Sequence, residues 1–442
     1  QAGYSEDLIL SDVVHTAAAR DLIVNAGLTE VVTESALGSA EPGPDASSSA
    51  RQPSGCVVVH VPAAGEGVER AEADGLAQRL ASLPPHWRVV VTSPEPLDAA
   101  DLERVTGRRP ADEDGAAGDT TVTFRTVRDL DPRGTIAFLT ECDDLWDPGR
   151  PASSNGDGVS DGSDGSGGGD DGVDLVLRIT AGPLNGPEQG ADNVARRQIL
   201  DCLLDSPGHV AGLIDLFESH PSLGVAMPAA CHIGRPHGGP QWDGLAGAAE
   251  ALSRRLGLTA ALDPIAPAVP VGAMFLARPE ALRTLSEGAK ELVRMTEQAA
   301  ADPEESVRRL RRARVAEVLE LLTVYAAMSS GFHPREVLTP TWAGRLYGAL
   351  AYKQRALTAD LPAYTDEQVR FLQARFGPRA GLGPRMRSYV DVHHPEMAGA
   401  LKPAYRYVTG GAKGVTDGVK GAARSLGGRL RPRRSARPAS DA

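Results

Sequence analysis

The chain has 442 residues, of which 41% are apolar and 24% charged, so it can bury the core of one large domain or two ordinary ones. Its 46 Lys and Arg against 58 Asp and Glu give a net charge of −12, which argues against general nucleic-acid binding by the body of the chain. No apolar run reaches the length of a membrane span, and the first residues lack a signal-peptide pattern. Four isolated cysteines indicate reduced thiols in a cytoplasmic protein.

The first 54 residues differ in character from the rest of the chain. Helical periodicity within residues 4–36 gives way to a Ser-, Pro- and Gly-rich linker at 37–55. The chain also begins at Gln1 rather than Met. We interpret residues 1–54 as an N-terminal helical segment and linker, typical of the end of a preceding unit.

From residue 55 onward, apolar strand patterns alternate with helical ones. The predicted strands are 56–61, 87–92, 122–127, 135–139, 173–179, 223–228 and 268–277. The predicted helices are 66–83, 94–105, 196–204, 210–220, 245–256, one from residue 279, and the longest at 308–329. This alternation predicts an α/β domain with a mostly parallel sheet over residues 55–352.

Two segments lack the patterns of packed structure. Residues 148–172 are Gly-, Ser- and Asp-rich and predict a disordered insert, whose aspartates do not have the spacing of a calcium-binding EF-hand. Residues 353–442 form a helical region that ends in a basic tail, with ten Lys and Arg against two Asp from Lys402 onward. Two interpretations of residues 403–442 stay open, a contact with an anionic membrane surface and a plain disordered basic tail.

An acidic cluster follows the predicted strand at 135–139. Ligands of open parallel sheets bind beyond the carboxyl ends of the strands, so Glu141, Asp143 and Asp144 are candidate ligands of Mg²⁺ or Mn²⁺, with Asp147 close by. Such an ion would neutralise the pyrophosphate of a nucleotide sugar as it leaves. The alternative is an acidic turn that caps a short helix.

Basic residues flank the predicted strand at 173–179. Arg178, Arg196 and Arg197 could bind phosphate oxygens as bidentate donors. For Arg196 and Arg197, the alternative is a solvated helix face.

Two glutamates lie three residues apart on the predicted helix at 308–329. Glu317 and Glu320 have apolar neighbours, so one of them could face a cleft with a raised pKa and act as a general base. The alternative is that both form ion pairs with the arginines at 309–314, one turn earlier. The histidines, His60 and His333 among them, show no metal-ligand spacing, and we assign them no role.

An ordered series of segments from Gly55 onward resembles the rhamnan synthesis F family, glycosyltransferases of rhamnose-rich cell-surface polysaccharide assembly. The segments are 57–61, 80–84, 89–92, 174–179, 203–207, 223–228 and 270–282. The last, which contains Gly272-Ala273-Met274-Phe275, is the most specific. The resemblance implies transfer of a sugar, rhamnose in this family, from a nucleotide diphosphate donor to a saccharide or lipid-linked saccharide acceptor.

Two polar elements depart from the family pattern. Where the family has Asn-Arg-Gly-Arg-Asp, this chain has residues 130–134, Leu-Asp-Pro-Arg-Gly. Where the family has Lys-Ile-His-Thr-Lys, this chain has residues 178–182, Arg-Ile-Thr-Ala-Gly. Arg178 and Glu320 remain as matching charged positions. The departures favour an alternative function, a non-catalytic binding module of a polysaccharide-synthesis complex.

A second resemblance concerns residues 134–146, which are similar to the metal-binding strand of inverting family-2 glycosyltransferases. Glu141 and Asp143 take the place of an Asp-x-Asp motif. Both resemblances imply a GT-A-like nucleotide-sugar-binding domain in a cytoplasmic enzyme, on its own or peripheral to the inner face of the membrane. They imply different strand ends as the site of the sugar nucleotide.

Overall fold

A computed structural model describes residues 27–35, 53–62, 64–108, 122–146, 173–182, 184, 189–229, 242, 244–263 and 267–358, together with scattered positions between 9 and 23. The chain divides into two units, Gln1–Tyr352 and Lys353–Ala442, and the sheet belongs to the first. Within the described residues, no helix has the length and apolarity needed to cross a membrane. The predicted insert at 148–172, the basic tail at 403–442 and residues 36–52 lie outside the described residues.

The described strands form one eight-stranded sheet in the order β1-β8-β6-β7-β5-β2-β3-β4. The strands are β1 Thr29–Val31, β2 Gly55–His60, β3 Arg88–Ser93, β4 Val122–Thr126, β5 Leu175–Thr180, β6 Leu223–Pro228, β7 Phe275–Ala277 and β8 His333–Leu338. Strand β7 runs antiparallel to its neighbours β5 and β6, and the other described pairs are parallel. The predicted α/β class with a mostly parallel sheet is therefore confirmed.

Twelve helices accompany the sheet in the described part of the chain. They are α1 Ala64–Ala73, α2 Leu76–Leu80, α3 Ala99–Thr106, α4 Thr135–Glu141, α5 Asp143–Trp146, α6 Gln189–Leu204, α7 Pro207–Ser219, α8 Ala246–Leu256, α9 Pro279–Ala299, α10 Pro303–Arg312, α11 Val315–Ser329 and α12 Pro340–Thr358. Helices α7 and α10 each begin at a residue whose side chain caps the helix. Ser206 accepts a hydrogen bond from the amide of His209, and Asp302 accepts one from the amide of Glu305.

The sheet has an apolar layer on each face, because its central strands are buried on both sides. One cluster joins alternate residues of β2 and β5, such as Cys56 and Val176, to helices α4, α9 and α11. The other joins the intervening residues, such as Val57 and Leu177, to helices α1, α2, α3, α6 and α7. These β-branched runs follow the pattern of buried parallel strands.

Residues 135–139, predicted as a strand, form helix α4 instead. Asp131 decides this outcome, because its carboxylate accepts hydrogen bonds from the amides of Arg133, Thr135 and Ile136. Gly134, with φ of 62°, turns the chain into the helix. The acidic residues that follow therefore lie at the end of a helix and not at the end of a strand.

Other boundaries also differ from prediction. Gly75, with φ of 61°, separates α1 from α2, and Arg314, with φ of 53°, separates α10 from α11. The predicted strand at 268–277 shortens to β7, preceded by a 3₁₀ turn at Val271–Ala273. Strands β1 and β8 were not predicted; β1, within the predicted N-terminal segment, pairs with β8 as an edge of the sheet.

Candidate functional site

The sheet order contains a topological switch point between β2 and β5. From β2, the chain continues through β3 and β4 on one side, and then crosses to β5 on the other. The order β4-β3-β2-β5 is the 3-2-1-4 arrangement of nucleotide-binding doubly wound sheets, where ligands bind in the crevice at the carboxyl ends of the strands. The loops after β2 and β5 therefore define the candidate site.

The loop at 131–135, between β4 and α4, lies against both of these strand ends. Gly134 approaches the ring of His60, the last residue of β2, so closely that a Cβ atom would lie 2.3 Å from its Nδ1. Pro132 approaches Gly182, beyond the end of β5, where a Cβ atom would lie 2.4 Å from the Pro132 carbonyl oxygen. Glycine at both positions allows the three segments to meet.

An Arg133–Glu320 ion pair joins this loop to helix α11. Arg133 Nη2 lies 2.7 Å from Glu320 Oε2, and Arg133 Nε donates to Glu320 Oε1 at 2.8 Å. The side chains are 15% and 10% exposed, so the pair reaches the rim of the crevice. Thr135 Oγ1 also donates to Glu320 Oε1, and Arg133 Nη1 donates to the carbonyl oxygen of Leu184 at 3.0 Å. Such bidentate geometry fixes both groups.

Arg178 lies beneath this pair and is buried, with 2% of its surface exposed. Its Nη2 donates to the carbonyl oxygen of Arg133 at 2.9 Å and to Thr135 Oγ1 at 3.0 Å, and its guanidinium carbon lies 4.9 Å from the centroid of Phe138. Burial lowers the pKa of Arg178, while the charge of Glu320 opposes that shift. Arg178 thus supports the loop from below.

His60 forms a buried polar contact at the end of β2. Its Nδ1 lies 3.1 Å from Thr92 Oγ1, and its Nε2 has no hydrogen-bond partner among the described residues. Burial lowers the pKa of His60 to about 4, against the opposing charge of Asp131. The imidazole is therefore neutral at pH 7.

A strained turn approaches the same end of the sheet. Because β7 is antiparallel and pairs Phe275 with Arg178, the residues before Phe275 lie toward the carboxyl end of β5. Gly272 and Ala273 have φ of 66° and 57°, and a Cβ atom on Gly272 would lie 2.3 Å from Leu184 Cδ2. A left-handed alanine is costly, and such strain clusters at functional sites.

The predicted acidic cluster lies away from this crevice. Six residues of helix separate Thr135, which contacts Glu320, from Glu141, a rise of about 9 Å along α4. Glu141 binds Arg128 Nε at 2.8 Å, and Asp143 lies 2.5 Å from Lys290 Nζ. Asp144 is paired as well, with Arg125 Nη1 at 2.8 Å and Arg88 Nη1 at 3.4 Å.

The carboxylates of Glu141, Asp143 and Asp144 are paired with Arg or Lys side chains, and a divalent ion would have to displace these cations. Burial acts to raise the pKa of Asp144, but the hydrogen bond and charge of Arg125 outweigh it, and the pKa is lowered. No group of three or more His, Cys, Asp or Glu that could hold a metal occurs among the residues that the structure describes. The carboxylates of this cluster instead bind the arginine and lysine side chains of β3, β4 and α9 and the segment after β4.

The remaining predicted residues have structural contacts of their own. Arg196, 4% exposed, binds Asp74 and donates to the carbonyl oxygens of Thr180 and Gly182, so it fixes the loop after β5 from inside. Arg197 has a 69% exposed side chain that lies 3.8 Å from Asp201, which matches the solvated-face alternative.

The two predicted glutamates also differ from each other. Glu317 pairs with Arg314, as its alternative predicted, and the hydrogen bond from Arg314 lowers its pKa. Glu320 instead pairs with Arg133. Of the predicted residues, Arg178, Arg196 and Glu320 therefore lie around the crevice, and Glu141, Asp143, Asp144, Arg197 and Glu317 bind elsewhere.

Several residues of the site were not singled out from the sequence. Asp131 and Arg133 belong to residues 130–134, which depart from the family pattern. Thr135 belongs to the predicted strand at 135–139. The spacing Asp131-x-x-Gly134-Thr135 was an available signal, because an aspartate followed closely by an apolar helical run is typical of a helix start. Nothing local indicated that His60 would contact Gly134.

No protein-family model matches this chain, and no curated protein matches it.

Proposed function

We propose that this chain is a GT-A-like glycosyltransferase of the rhamnan synthesis type. It would transfer a sugar from a nucleotide diphosphate donor to a cell-surface polysaccharide precursor at the inner face of the membrane. The donor is assigned to the crevice between the ends of β2 and β5. The observation that carries the proposal is the Arg133–Glu320 pair at the rim of the switch-point crevice.

The arrangement of the sheet supports nucleotide binding there. Three independent backbone segments converge on the crevice, namely the loop at 131–135, the residues after β5 and the turn at Val271–Ala273. Two polar elements depart from the sequence pattern of the rhamnan synthesis F family, residues 130–134 and residues 178–182. They contact each other at the crevice. A shared location supports the view that they form one site.

The charged pair supplies the chemistry of the proposed transfer. Arg133 would donate to the diphosphate oxygens as the bond to the anomeric carbon breaks, since guanidinium stabilises developing negative charge. Glu320 would then be released from Arg133 and accept the proton of the attacking acceptor hydroxyl. We assign no step to a metal ion, because the predicted ligands Glu141, Asp143 and Asp144 are paired with cations away from the crevice.

The test is titration of the intact protein with UDP-, GDP- and dTDP-activated sugars, with and without Mn²⁺. The proposal expects saturable binding of one nucleotide class and weaker binding by Arg133→Gln. Matched substitution of the exposed Arg294 by glutamine should leave affinity unchanged. Absence of binding to every nucleotide class would contradict the proposal.

One observation favours the alternative function, a non-catalytic binding module of a polysaccharide-synthesis complex. Both carboxylate oxygens of Glu320 already accept hydrogen bonds, from Arg133 and Thr135, so Glu320 is not a free base in this structure. A binding module would hold a saccharide or nucleotide without releasing nucleoside diphosphate. Measuring that release with a saturating donor separates the two functions.

A further inference from the structure

A cavity of about 310 Å³ lies between helices of the first unit and shares no lining residue with the switch-point crevice. Its walls come from α8, α9 and the corner where α10 ends and α11 begins. Ala299 and Ala313 of the wall are exposed, so the cavity opens to solvent. Ligand pockets have volumes of about 300–1,000 Å³, and this one therefore fits a small molecule.

The lining of the cavity is mainly apolar. Leu292, Met295 and Ala299 recur on α9 at steps of three and four residues, so they lie on one face of that helix. Leu310 of α10 and Val315 of α11 complete the apolar surface. Met295 is 40% exposed, although its side chain is apolar. An apolar ligand group would cover Met295 and remove its side chain from water.

Arg255, near the end of α8, adds a cation to the wall of the cavity. Its side chain is exposed, and its Nη2 donates to the sulfur of Met295. No carboxylate among the described residues lies within ion-pair distance of Arg255. Because a thioether sulfur is a weak acceptor, the guanidinium of Arg255 keeps strong donors for an anion.

The charge of Arg255 acts on Glu291 without an ion pair between the two. The hydrogen bond from Arg294 lowers the pKa of Glu291, and the charge of Arg255 adds a smaller effect in the same direction. Arg294 binds Glu291 through Nε and Nη2 at 2.8 and 2.6 Å. Glu291 thus has a cation of its own, which leaves Arg255 for a ligand.

The second arginine of the lining, Arg309, is already paired. Its Nη2 lies 2.6 Å from Glu305 Oε1, and its Nη1 donates to the carbonyl oxygen of Ala299 at 2.7 Å. Thr296 is satisfied as well, since its hydroxyl donates to the carbonyl oxygen of Leu292 at 2.8 Å. In the described lining, the cation without a carboxylate partner is therefore Arg255.

We infer that this cavity binds a small amphiphilic anion, an alkyl tail that ends in a carboxylate or a phosphate. The tail would lie against Leu292, Met295 and Leu310, and the anionic end would bind Arg255, whose planar guanidinium matches both anions. The cavity does not accommodate a protein helix, which is about 10 Å across with its side chains. The inference does not depend on sugar transfer.

The experiment uses the intact protein labelled with ¹³C at the methionine methyl groups. The chain has six methionines, and Met295→Leu assigns the methyl signal of Met295. Titration with octanoate should shift that signal with a Kd of about 1 mM or below, which a ligand of this size can reach. Octyl phosphate is the second probe. Tighter binding of octyl phosphate would indicate a phosphorylated lipid, and tighter binding of octanoate a fatty acid.

Variants separate the roles of charge and of cavity volume. Arg255→Gln should weaken octanoate binding about threefold to fivefold, as expected for an exposed ion pair, and leave the binding of uncharged octanol unchanged. The matched control, Arg254→Gln, removes the neighbouring exposed arginine of α8, which does not line the cavity. Ala299→Phe would place a ring in the cavity and should weaken the binding of both ligands at least about fivefold.

Three results would overturn the inference. The first is a Met295 signal that neither octanoate nor octyl phosphate shifts at about 10 mM, since a fitting ligand of this size should then be bound. The second is equal affinity of Arg255→Gln and Arg254→Gln for octanoate; both arginines are exposed, so both variants should fold. The third is a Met295 signal that shifts when the protein alone is diluted, because a second copy would then cover the cavity.

Discussion

Replacing Arg133 by methionine removes one member of the ion pair at the rim of the crevice and leaves Glu320 without its cation. Glu320 has 10% of its side chain exposed and accepts from Arg133 twice and from Thr135 once. Two of its three hydrogen bonds would be lost, both of them charge-assisted. Breaking a buried ion pair costs about 3–5 kcal/mol. Because this pair is slightly exposed, we expect Arg133→Met to lower the free energy of unfolding by about 3 kcal/mol.

The paired substitution gives a sharper result. In R133M/E320L both charges are removed together, so the free energy of unfolding should return to within about 1 kcal/mol of the original. The coupling free energy between the two positions should then be at least about 2 kcal/mol, because any cost of Glu320→Leu alone adds to it. Urea unfolding, followed by tryptophan fluorescence and far-ultraviolet circular dichroism, measures each variant.

The matched control is an exposed pair with similar geometry. Arg294 binds Glu291 through Nε and Nη2 at 2.8 and 2.6 Å, with side chains 56% and 50% exposed. Arg294→Met should cost far less than Arg133→Met, because solvent screens the exposed pair. The reasoning is refuted if Arg133→Met costs no more than Arg294→Met, or if the double variant shows no coupling.

Three further predictions concern the loop and the acidic cluster. Gly134→Ala should destabilise the protein by about 2 kcal/mol or more, because Gly134 has φ of 62° and lies against the ring of His60. The control Gly344→Ala, where a Cβ atom would meet open space, should stabilise helix α12 by up to about 1 kcal/mol. Thermal unfolding measures both variants. The pKa of Asp144 is lowered in the folded state, so its pairing with Arg125 stabilises the protein above the unfolded pKa and this contribution is lost as pH falls through the folded pKa. Asp144→Asn should therefore reduce stability at neutral pH but not in strong acid, and equal losses at both would contradict this. Asp143→Asn should leave nucleotide-sugar affinity, measured by calorimetry, unchanged with or without Mn²⁺. A loss of affinity only in the presence of Mn²⁺ would contradict this and would indicate that Asp143 binds a metal ion.

The central strands could be predicted from sequence because their pattern is local. Strands β2, β3 and β5 are runs of β-branched and aliphatic residues that are buried on both faces, and the predicted bounds differ from the observed ones by at most two residues at either end. Strand β8, His-Pro-Arg-Glu-Val-Leu, lacks that pattern. Its buried Arg335 pairs with Glu30 of β1, a contact across 305 residues.

Helix α4 illustrates why periodicity alone was insufficient. The apolar run at 135–139 suits a buried helix as well as a buried strand. The deciding residue, Asp131, lies outside the run and acts by capping three amides. The acidic cluster was therefore placed at a strand end that does not exist.

The candidate site depends mainly on contacts between distant segments. Arg133 and Glu320 are 187 residues apart, and Gly134 covers His60 from 74 residues away. Glu320 was selected as a candidate residue, but its partner could not be identified without the fold. Sequence patterns thus indicated the sheet, and the tertiary structure determined which polar residues meet at its carboxyl end.

Hydrogen–deuterium exchange of the intact protein, with and without saturating nucleotide sugar, tests the central claim most directly. If the donor binds at the switch point, amides of residues 60–67, 131–135 and 180–184 become protected together, and amides at 141–146 do not change. UDP-, GDP- and dTDP-activated sugars are each used as the probe. Protection at 141–146 without protection at 131–135, or no protection by any of the three, would contradict a nucleotide-sugar site in this crevice.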